Sequence, residues 1–334
     1  MTALRTPASA MEVVIGLSAV ILTLRGDDGM VLTVRPRDGA VDQATGRQGL
    51  PFGPFDPVGQ RTFELALREF VARQTGFELG YVEQLYTFGD QGRDAPLADV
   101  GVGAARVISV GYLALAPRSP DPTTRDTSWS SWSRFFPWED WRRGRPEVID
   151  GVIWPALEAW AGTTGPNRGR AALLFARGGA RWNEERVLER YELLYEAGLA
   201  PEAARDRART GETPIPAGAF DHAFGEPMIS DHRRILATAL GRLRGKLKYR
   251  PVAFEFMPEA FTLSALQRAV ETISGVTLHK QNFRRAVERT GLAEGLGRVE
   301  AGTGGRPAEL FRFRREILAA RPAGGLALPL LREA

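Results

Sequence analysis

The spacing of apolar positions divides the chain into a strand-rich beginning, a mixed middle and a helical, basic end. After ten residues that read as a loose tail, residues 11–24 are almost continuously apolar, as expected of a buried strand. The run from Val13 to Leu24 is too short to span a bilayer, and no small-residue cleavage pattern follows it. Gly26-Asp27-Asp28-Gly29 reads as a hairpin turn into a second strand from Met30 to Arg35. A Gly/Asp/Gln-rich loop then runs through Gly49, and Leu50 to Gly59 is too rich in Pro and Gly for regular structure. Phe63, Leu67, Phe70 and Val71 recur at helical spacing, predicting a helix from Thr62 to Gln74 with Gly76 as its stop. Tyr81 to Phe88 and Arg106 to Ala116 read as strands.

The middle is less regular. Residues 117–146 are rich in Pro, Ser and Trp, and six of the seven tryptophans lie between Trp129 and Trp160. Such clusters suit packing or a dimer contact better than stacking on an adenine. After an expected linker from Gly162 to Arg168, an amphipathic helix is predicted from Asn183 to Ala197, with Val187, Leu188, Tyr191, Leu194 and Tyr195 on its apolar stripe. A second helix starts at Pro201, and a loop covers Thr210 to Gly218.

At the basic end, Asp231 starts a helix running to about Lys248, with its arginines expected on the outer side. Phe261 to Ile273 is a helix capped by Thr262, and Ser274-Gly275-Val276 turns the chain into a third helix. Thr277 is the expected cap of that helix, Phe283, Ala286 and Val287 its core positions, and Gly291 its left-handed end. His279, Lys280, Gln281, Asn282, Arg284, Arg285 and Arg289 remain for solvent. Two strand-like pieces, Leu292 to Val299 and Leu310 to Phe313, flank the loop Gly302 to Pro307, which carries Arg306. Helix, turn, helix and hairpin with a basic tip is the pattern of a winged helix-turn-helix, whose second helix offers Lys, Arg, Asn and Gln to phosphates and base edges in the major groove.

Charge sharpens the division. Residues 231–321 hold 18 Lys+Arg against 9 Asp+Glu, although the whole chain is only +4, so this part is expected to meet a polyanion. With no cysteine, disulfides, thiolate catalysis and cysteine zinc sites are excluded, and the three histidines (His222, His232, His279) make a His-rich metal site implausible. A cytoplasmic protein that meets no membrane is expected.

The strand, loop, helix, strand order of residues 11–160 resembles the Nudix domain, whose signature is G-x5-E-x7-R-E-U-x-E-E-x-G-U. Arg68-Glu69-Phe70 matches R-E-U, and Leu50-Pro51-Phe52-Gly53 resembles the approach to that box. Gln60, Ala72 and Arg73 stand where the other glutamates fall, and Gly76-Phe77 sits one residue late. A Nudix hydrolase holds Mg²⁺ against a diphosphate with glutamates on one helix face. Only Glu69 of that face survives, with Glu64 one turn before Arg68, so hydrolysis is not expected and neither a metal nor another cofactor is required. Tyr86 to Asp94 and Arg106 to Tyr112 resemble the loop and strand of Nudix proteins that handle ADP-ribose. The resemblance implies a nucleotide-sensing groove formed by Arg35, Arg37, Glu64, Arg68, Glu69, Arg93 and Arg106.

Leu278 to Arg285 and Gly304 to Phe313, behind a Nudix-like domain, resemble the Nudix-related transcriptional regulators of NAD metabolism (NrtR). The resemblance implies an α+β protein: a Nudix-like α/β/α sandwich with a mixed sheet (residues 1–160), a helical connector (161–230) and a winged helix-turn-helix domain (231–334). It implies a homodimer that binds double-stranded operator DNA, represses NAD-synthesis or salvage genes and responds to ADP-ribose or a related nucleotide. Thr277, His279, Lys280, Gln281, Asn282, Arg284 and Arg285, with Arg306 on the wing, are the implied DNA-binding residues. The alternative is an active Nudix hydrolase with an accessory DNA-binding domain. An RNA-docking adaptor would need exposed aromatic platforms that the basic part lacks.

Overall fold

The computed structural model describes residues 13–35, 48–89, 106–117, 126–162, 164–210, 222–300 and 307–316. Its larger sheet is built from β1 (Val13–Arg25), β2 (Asp28–Val34), β3 (Phe52–Pro54), β4 (Tyr81–Phe88), β5 (Arg106–Leu115) and β6 (Thr127–Ser131), in the order β4-β5-β1-β2-β6 with β3 also along β1. β1 runs parallel to β5, with Leu17 opposite Val110, and antiparallel to β2, so the sheet is mixed. Both faces are covered, which is why β1 reads as an unbroken apolar run. Leu17, Ala19 and Ile21 face helix α1 (Phe63–Thr75) and meet Leu67, Phe70 and Val71. Val20 and Leu22 alternate to the other face and join the cluster that holds Ile235, Leu236 and Ala239 of α6 (His232–Lys246).

Each predicted strand and helix of this part appears within a few residues, and the turn is tighter than expected. Arg25 pairs with Asp28, so Gly26 and Asp27 alone make the reversal, and Gly29 belongs to β2. A Cβ on Gly29 would fall 1.7 Å from the Trp132 ring, so glycine is required there for close approach. β6 escapes the sequence pattern because its buried positions are hydroxylic: Ser130 donates to Gln48 Oε1 at 2.8 Å, and Thr33 donates to Ser128 O at 3.0 Å.

The middle is helical: α2 (Trp154–Ala161), α3 (Pro166–Leu174), α4 (Val187–Glu196) and α5 (Pro201–Thr210). Two expectations are corrected here. Residues 166–168, assigned to a linker, begin α3, where Pro166 pre-sets the helical φ of a first turn. The Asn183 helix starts only at Val187, because the Asn183 side chain accepts from the Glu185 N–H and holds a turn ahead of it. The tryptophans pack: Trp132 and Trp138 are buried, and Trp141 stacks on Trp182 at 4.3 Å. The expected loop after Thr210 lies outside the described residues.

α6 overturns the expectation of outward arginines. Arg233 and Arg244 are buried, and so is Lys246. Arg233 pairs with Glu202 at 3.1 Å, donates to Phe135 O, and lies over the rings of Phe136, Trp138 and Tyr191. α6 therefore packs on the sheet and on α4, although the expected boundary at residue 231 groups it with the basic module. From its far side the same apolar cluster continues into α7 (Leu263–Ser274) and α8 (Lys280–Thr290), through Leu266, Val270, Phe283 and Val287. A second sheet of β7 (Phe261–Thr262), β9 (Ala308–Phe313) and β8 (Ala293–Glu300) completes this end.

Glu139 joins these parts. It accepts from Arg190 of α4 through both oxygens, at 2.6 and 2.8 Å, and from Arg244 of α6. Arg244 also donates to Ile273 O at the end of α7, and Trp141 N–H donates to Gly275 O at 2.6 Å. Burial alone would raise the Glu139 carboxyl pKa; Arg190 and Arg244 outweigh it and hold the pKa below the usual carboxylate range. Glu139→Gln should cost about 3–5 kcal/mol in urea unfolding at pH 7, because it leaves buried guanidiniums without their counter-charge. Because the folded pKa is lowered, this contribution is full above the unfolded carboxyl pKa and lost as pH falls through the folded value, so the native–variant difference should shrink in acid.

Candidate nucleic-acid interface and nucleotide cleft

The helix-turn-helix is set by local capping. The Thr262 hydroxyl accepts from Ala265 N–H at 3.1 Å to start α7, and Gly275 ends it at φ 74 in the left-handed region. A Cβ on Gly275 would lie 2.4 Å from Glu139 O, so this position needs glycine twice over. The turn is pinned to α7 from both sides: Gln267 donates to Leu278 O at 2.9 Å, and Leu278 N–H donates to Glu271 Oε1 at 2.8 Å. α8 consequently starts at Lys280 with His279 in the cap position. Thr277 is not the cap, since the pinned turn delays the helix; it stays exposed ahead of it.

On α8, Phe283, Ala286 and Val287 are buried and Gly291 ends the helix at φ 66. His279, Lys280, Gln281, Arg284, Arg285 and Arg289 are exposed, and Asn282 is half-buried. The Asn282 side-chain oxygen accepts from Arg285 at 2.7 Å, which orients both groups along one edge. The His279 side chain does not cap the N-terminus of α8, and no acidic residue sits in its first turn. Lys280 therefore stands beside open N–H groups at the positive end of the helix, an arrangement suited to phosphate. The hairpin β8–β9 follows, with an Arg312–Glu294 pair at 2.6 Å across its strands. Arg306 lies outside the described residues.

A cavity of about 520 Å³ lies between this module and the larger sheet, lined by Asp27 and Asp28 where β1 turns into β2, by Asp140, Arg142 and Arg143, and by Arg268, Glu271 and Thr277. Its walls hold each other: Asp27 O accepts from Arg142 at 2.7 Å and from Thr272 at 3.3 Å, and Arg142 pairs with Asp140 at 2.7 Å.

The Nudix-like helix α1 is capped by Thr62 and ends at Gly76 in the left-handed region. Arg68 is turned inward onto Glu64 at 2.8 Å and onto the carbonyls of Leu79 and Gly80. Glu69 accepts from Gln60 at 3.3 Å and faces Arg73 at 3.6 Å. The structure thus brings Gln60, Glu69 and Arg73 together, and separately ties Glu64 to Arg68. Arg35 is exposed at the end of β2, and Arg106 begins β5 opposite Val13. Arg37, Arg93 and the Arg106 side chain lie outside the described residues. A divalent cation does not fit this donor set, for Glu69 is its single carboxylate among the described residues and already carries a guanidinium. Among the described residues no group of three or more His, Asp or Glu is placed to hold a metal.

His232, given no role by the sequence, ties the segment before α1 to α6. Its Nδ1 accepts from Leu50 N–H at 2.9 Å, its ring lies 5.3 Å from Phe52, and Ile229 N–H donates to Gln48 O at 3.1 Å. The strap leading to the Nudix-like helix is therefore held by the start of α6. No local signal marks such a histidine, because its partner is a backbone N–H far away in sequence.

A mixed sheet between α1 and α6, continued by a helix-turn-helix with a hairpin, defines a Nudix-like domain joined to a winged-helix module. Residues 253–313 match the NrtR DNA-binding winged helix domain. The ADPR responsive transcriptional repressor NtrR of Acinetobacter baylyi is 39% identical over 94 residues, which are 28% of this chain and 37% of that protein, so the match spans little over a third of the relative. The crystal structure of Shewanella oneidensis NrtR complexed with a 27mer DNA aligns over 91% of this chain and 95% of its own, with 20% identity and a TM-score of 0.51. A MutT/nudix family protein from Enterococcus faecalis aligns over 93% and 90%, with 14% identity and a TM-score of 0.52. The chain carries an NrtR-type DNA-binding winged helix behind a Nudix-like domain.

Burial pushes the His232 pKa down to about 3, with Arg205 nearby adding to the effect. Because this lies below the unfolded value, the neutral ring's contribution is full above pH ~6.5 and lost as pH falls toward 3, at about 1.4 kcal/mol per pH unit. Urea unfolding at pH 7.5 and 5.0 should show the advantage of the native chain over His232→Gln narrowing by about 2 kcal/mol.

Proposed function

We propose that this protein is a transcriptional regulator that binds operator DNA through α8 and the hairpin, and responds to ADP-ribose or a related nucleotide through its Nudix-like cleft. The observation that carries this reading is the exposed basic edge of α8 in a winged helix matching the NrtR DNA-binding domain. The Acinetobacter relative is named as an ADPR responsive transcriptional repressor; in this reading the chain likewise acts as a repressor, its targets are genes of NAD synthesis or salvage, and it binds as a homodimer. Lys280, Arg284 and Arg285 meet phosphates or guanines, Gln281 and Asn282 read base edges beside His279 and Thr277, and Arg306 enters the minor groove. Arg35, Arg37, Glu64, Arg68, Glu69, Arg93 and Arg106 line the nucleotide cleft, with Arg68 and Glu64 bracing α1. The protein is a regulator without hydrolase activity, since Gln60, Ala72 and Arg73 remove the carboxylates that hydrolysis needs, and it works in the cytoplasm beside the chromosome. No described helix is long and apolar enough to cross a membrane.

The signal runs through α6. Nucleotide in the cleft moves the strap at Leu50, His232 moves with it, and Arg244 at the other end of α6 shifts the turn between α7 and α8. A palindromic site tolerates little change in the spacing of two such modules.

In a gel-shift assay the chain should retard its own upstream DNA at low salt, and ADP-ribose should change the fraction bound; absence of retardation would sink the reading. Replacing Lys280 and Arg284 by Ala should weaken binding to all sequences and reduce the salt slope by roughly one for each phosphate left without its cation. Arg306→Ala should cost about 1–3 kcal/mol if the side chain touches a base edge.

A further inference from the structure

The Nudix-like helix sets one cation apart. Arg68 is occupied by Glu64 and by the carbonyls of Leu79 and Gly80. Arg73, five residues on, is 67% exposed, and its partner among the described residues is Glu69 Oε1 at 3.6 Å. Glu69 is held from its other oxygen by Gln60. These three positions correspond to carboxylates in the Nudix signature, and the fold still brings them together with the middle carboxylate retained. The remaining acidic position is Ala72, which is exposed and carries no charge.

Electrostatics then decides what the site can hold. A divalent ion would find one carboxylate, an amide and a guanidinium, so both ligand count and charge oppose it. An anion would find an exposed guanidinium in the planar fork that suits two phosphate oxygens, with Glu69 on one side of it only. The helix is fixed in rotation by buried Leu67, Phe70 and Val71, and it ends at Gly76, so Arg73 projects from a rigid last turn. Glu69 limits where the guanidinium swings.

We propose that Arg73, steadied by Glu69, binds the diphosphate of a nucleoside diphosphate directly, in the position where a Nudix hydrolase holds its divalent ion, so that the ligand is sensed without metal. This rests on the nucleotide-sensor reading above and names the group that meets the diphosphate. Glu69 and Gln60 are positioning residues in this scheme, and no bond in the ligand is broken.

Isothermal titration of the full chain with ADP-ribose, once in EDTA and once in Mg²⁺, tests it. The two dissociation constants should agree within about twofold, and Arg73→Ala should weaken binding roughly tenfold or more in both, with an unchanged melting temperature. Binding that needs Mg²⁺, or an Arg73→Ala chain that binds as tightly as the native one, overturns the proposal. Inorganic pyrophosphate separates it from the sensor reading. If ADP-ribose fails to bind but pyrophosphate in EDTA raises the melting temperature of the native chain and not of Arg73→Ala, nucleotide sensing falls and the anion site stands. If pyrophosphate also acts equally on both chains or on neither, the anion site falls as well. As the converse, Gln60→Glu with Ala72→Glu and Arg73→Glu should make ADP-ribose binding dependent on Mg²⁺; metal-independent binding by that triple variant would contradict Arg73's role.

Discussion

One buried carboxylate holds the domains in register. Glu139 sits on the segment leaving the larger sheet, and its two oxygens are shared by guanidiniums from α4 and α6. Arg190 is further covered by Trp182, 3.8 Å from the ring centroid, and Arg244 reaches on to Ile273 O near the end of α7 and to Glu184 O. Charges taken from water are costly, and they are tolerated here because the guanidiniums find acceptors on several sides. The arrangement admits one placement of α4, α6 and the helix-turn-helix, since moving any of them strands a buried charge. Apolar packing alone would permit sliding.

That register sets α6 between the strap before α1 and the α7–α8 turn. At one end His232 and Ile229 hold the strap before the Nudix-like helix, and at the other Arg244 holds the α7–α8 turn. The helix is about 22 Å long, and the apolar cluster around it is continuous from Val20 to Val287. The strap is therefore joined to the turn before α8 through continuously packed structure.

Much of this was legible in the sequence where the deciding forces are local. The apolar run of β1, the stop Gly76 of α1, the cap Thr262, the turn at Gly275, the left-handed end at Gly291, and the core stripe of α8 follow from periodicity and capping chemistry. The exposed edge of α8 follows from the same stripe. What was not legible depends on partners distant in sequence. Arg233 and Arg244 look like a solvated face because their acids, Glu202 and Glu139, lie far upstream. β6 hides behind the buried Ser130, whose partners are Thr33 and Gln48. Thr277 looks like a cap until Gln267 and Glu271 are seen to claim the turn. At the Nudix-like helix, the signature's spacing placed Gln60, Glu69 and Arg73 together, whereas the occupation of Arg68 by Leu79 and Gly80 required the fold.

Hydrogen–deuterium exchange on the full chain with and without ADP-ribose tests the coupling through α6 most directly. The account predicts changed protection at the strap around residues 48–53, at both ends of α6, and in the turn at residues 274–279. A change confined to the strap and the Nudix-like helix, with the turn unaffected, would contradict it.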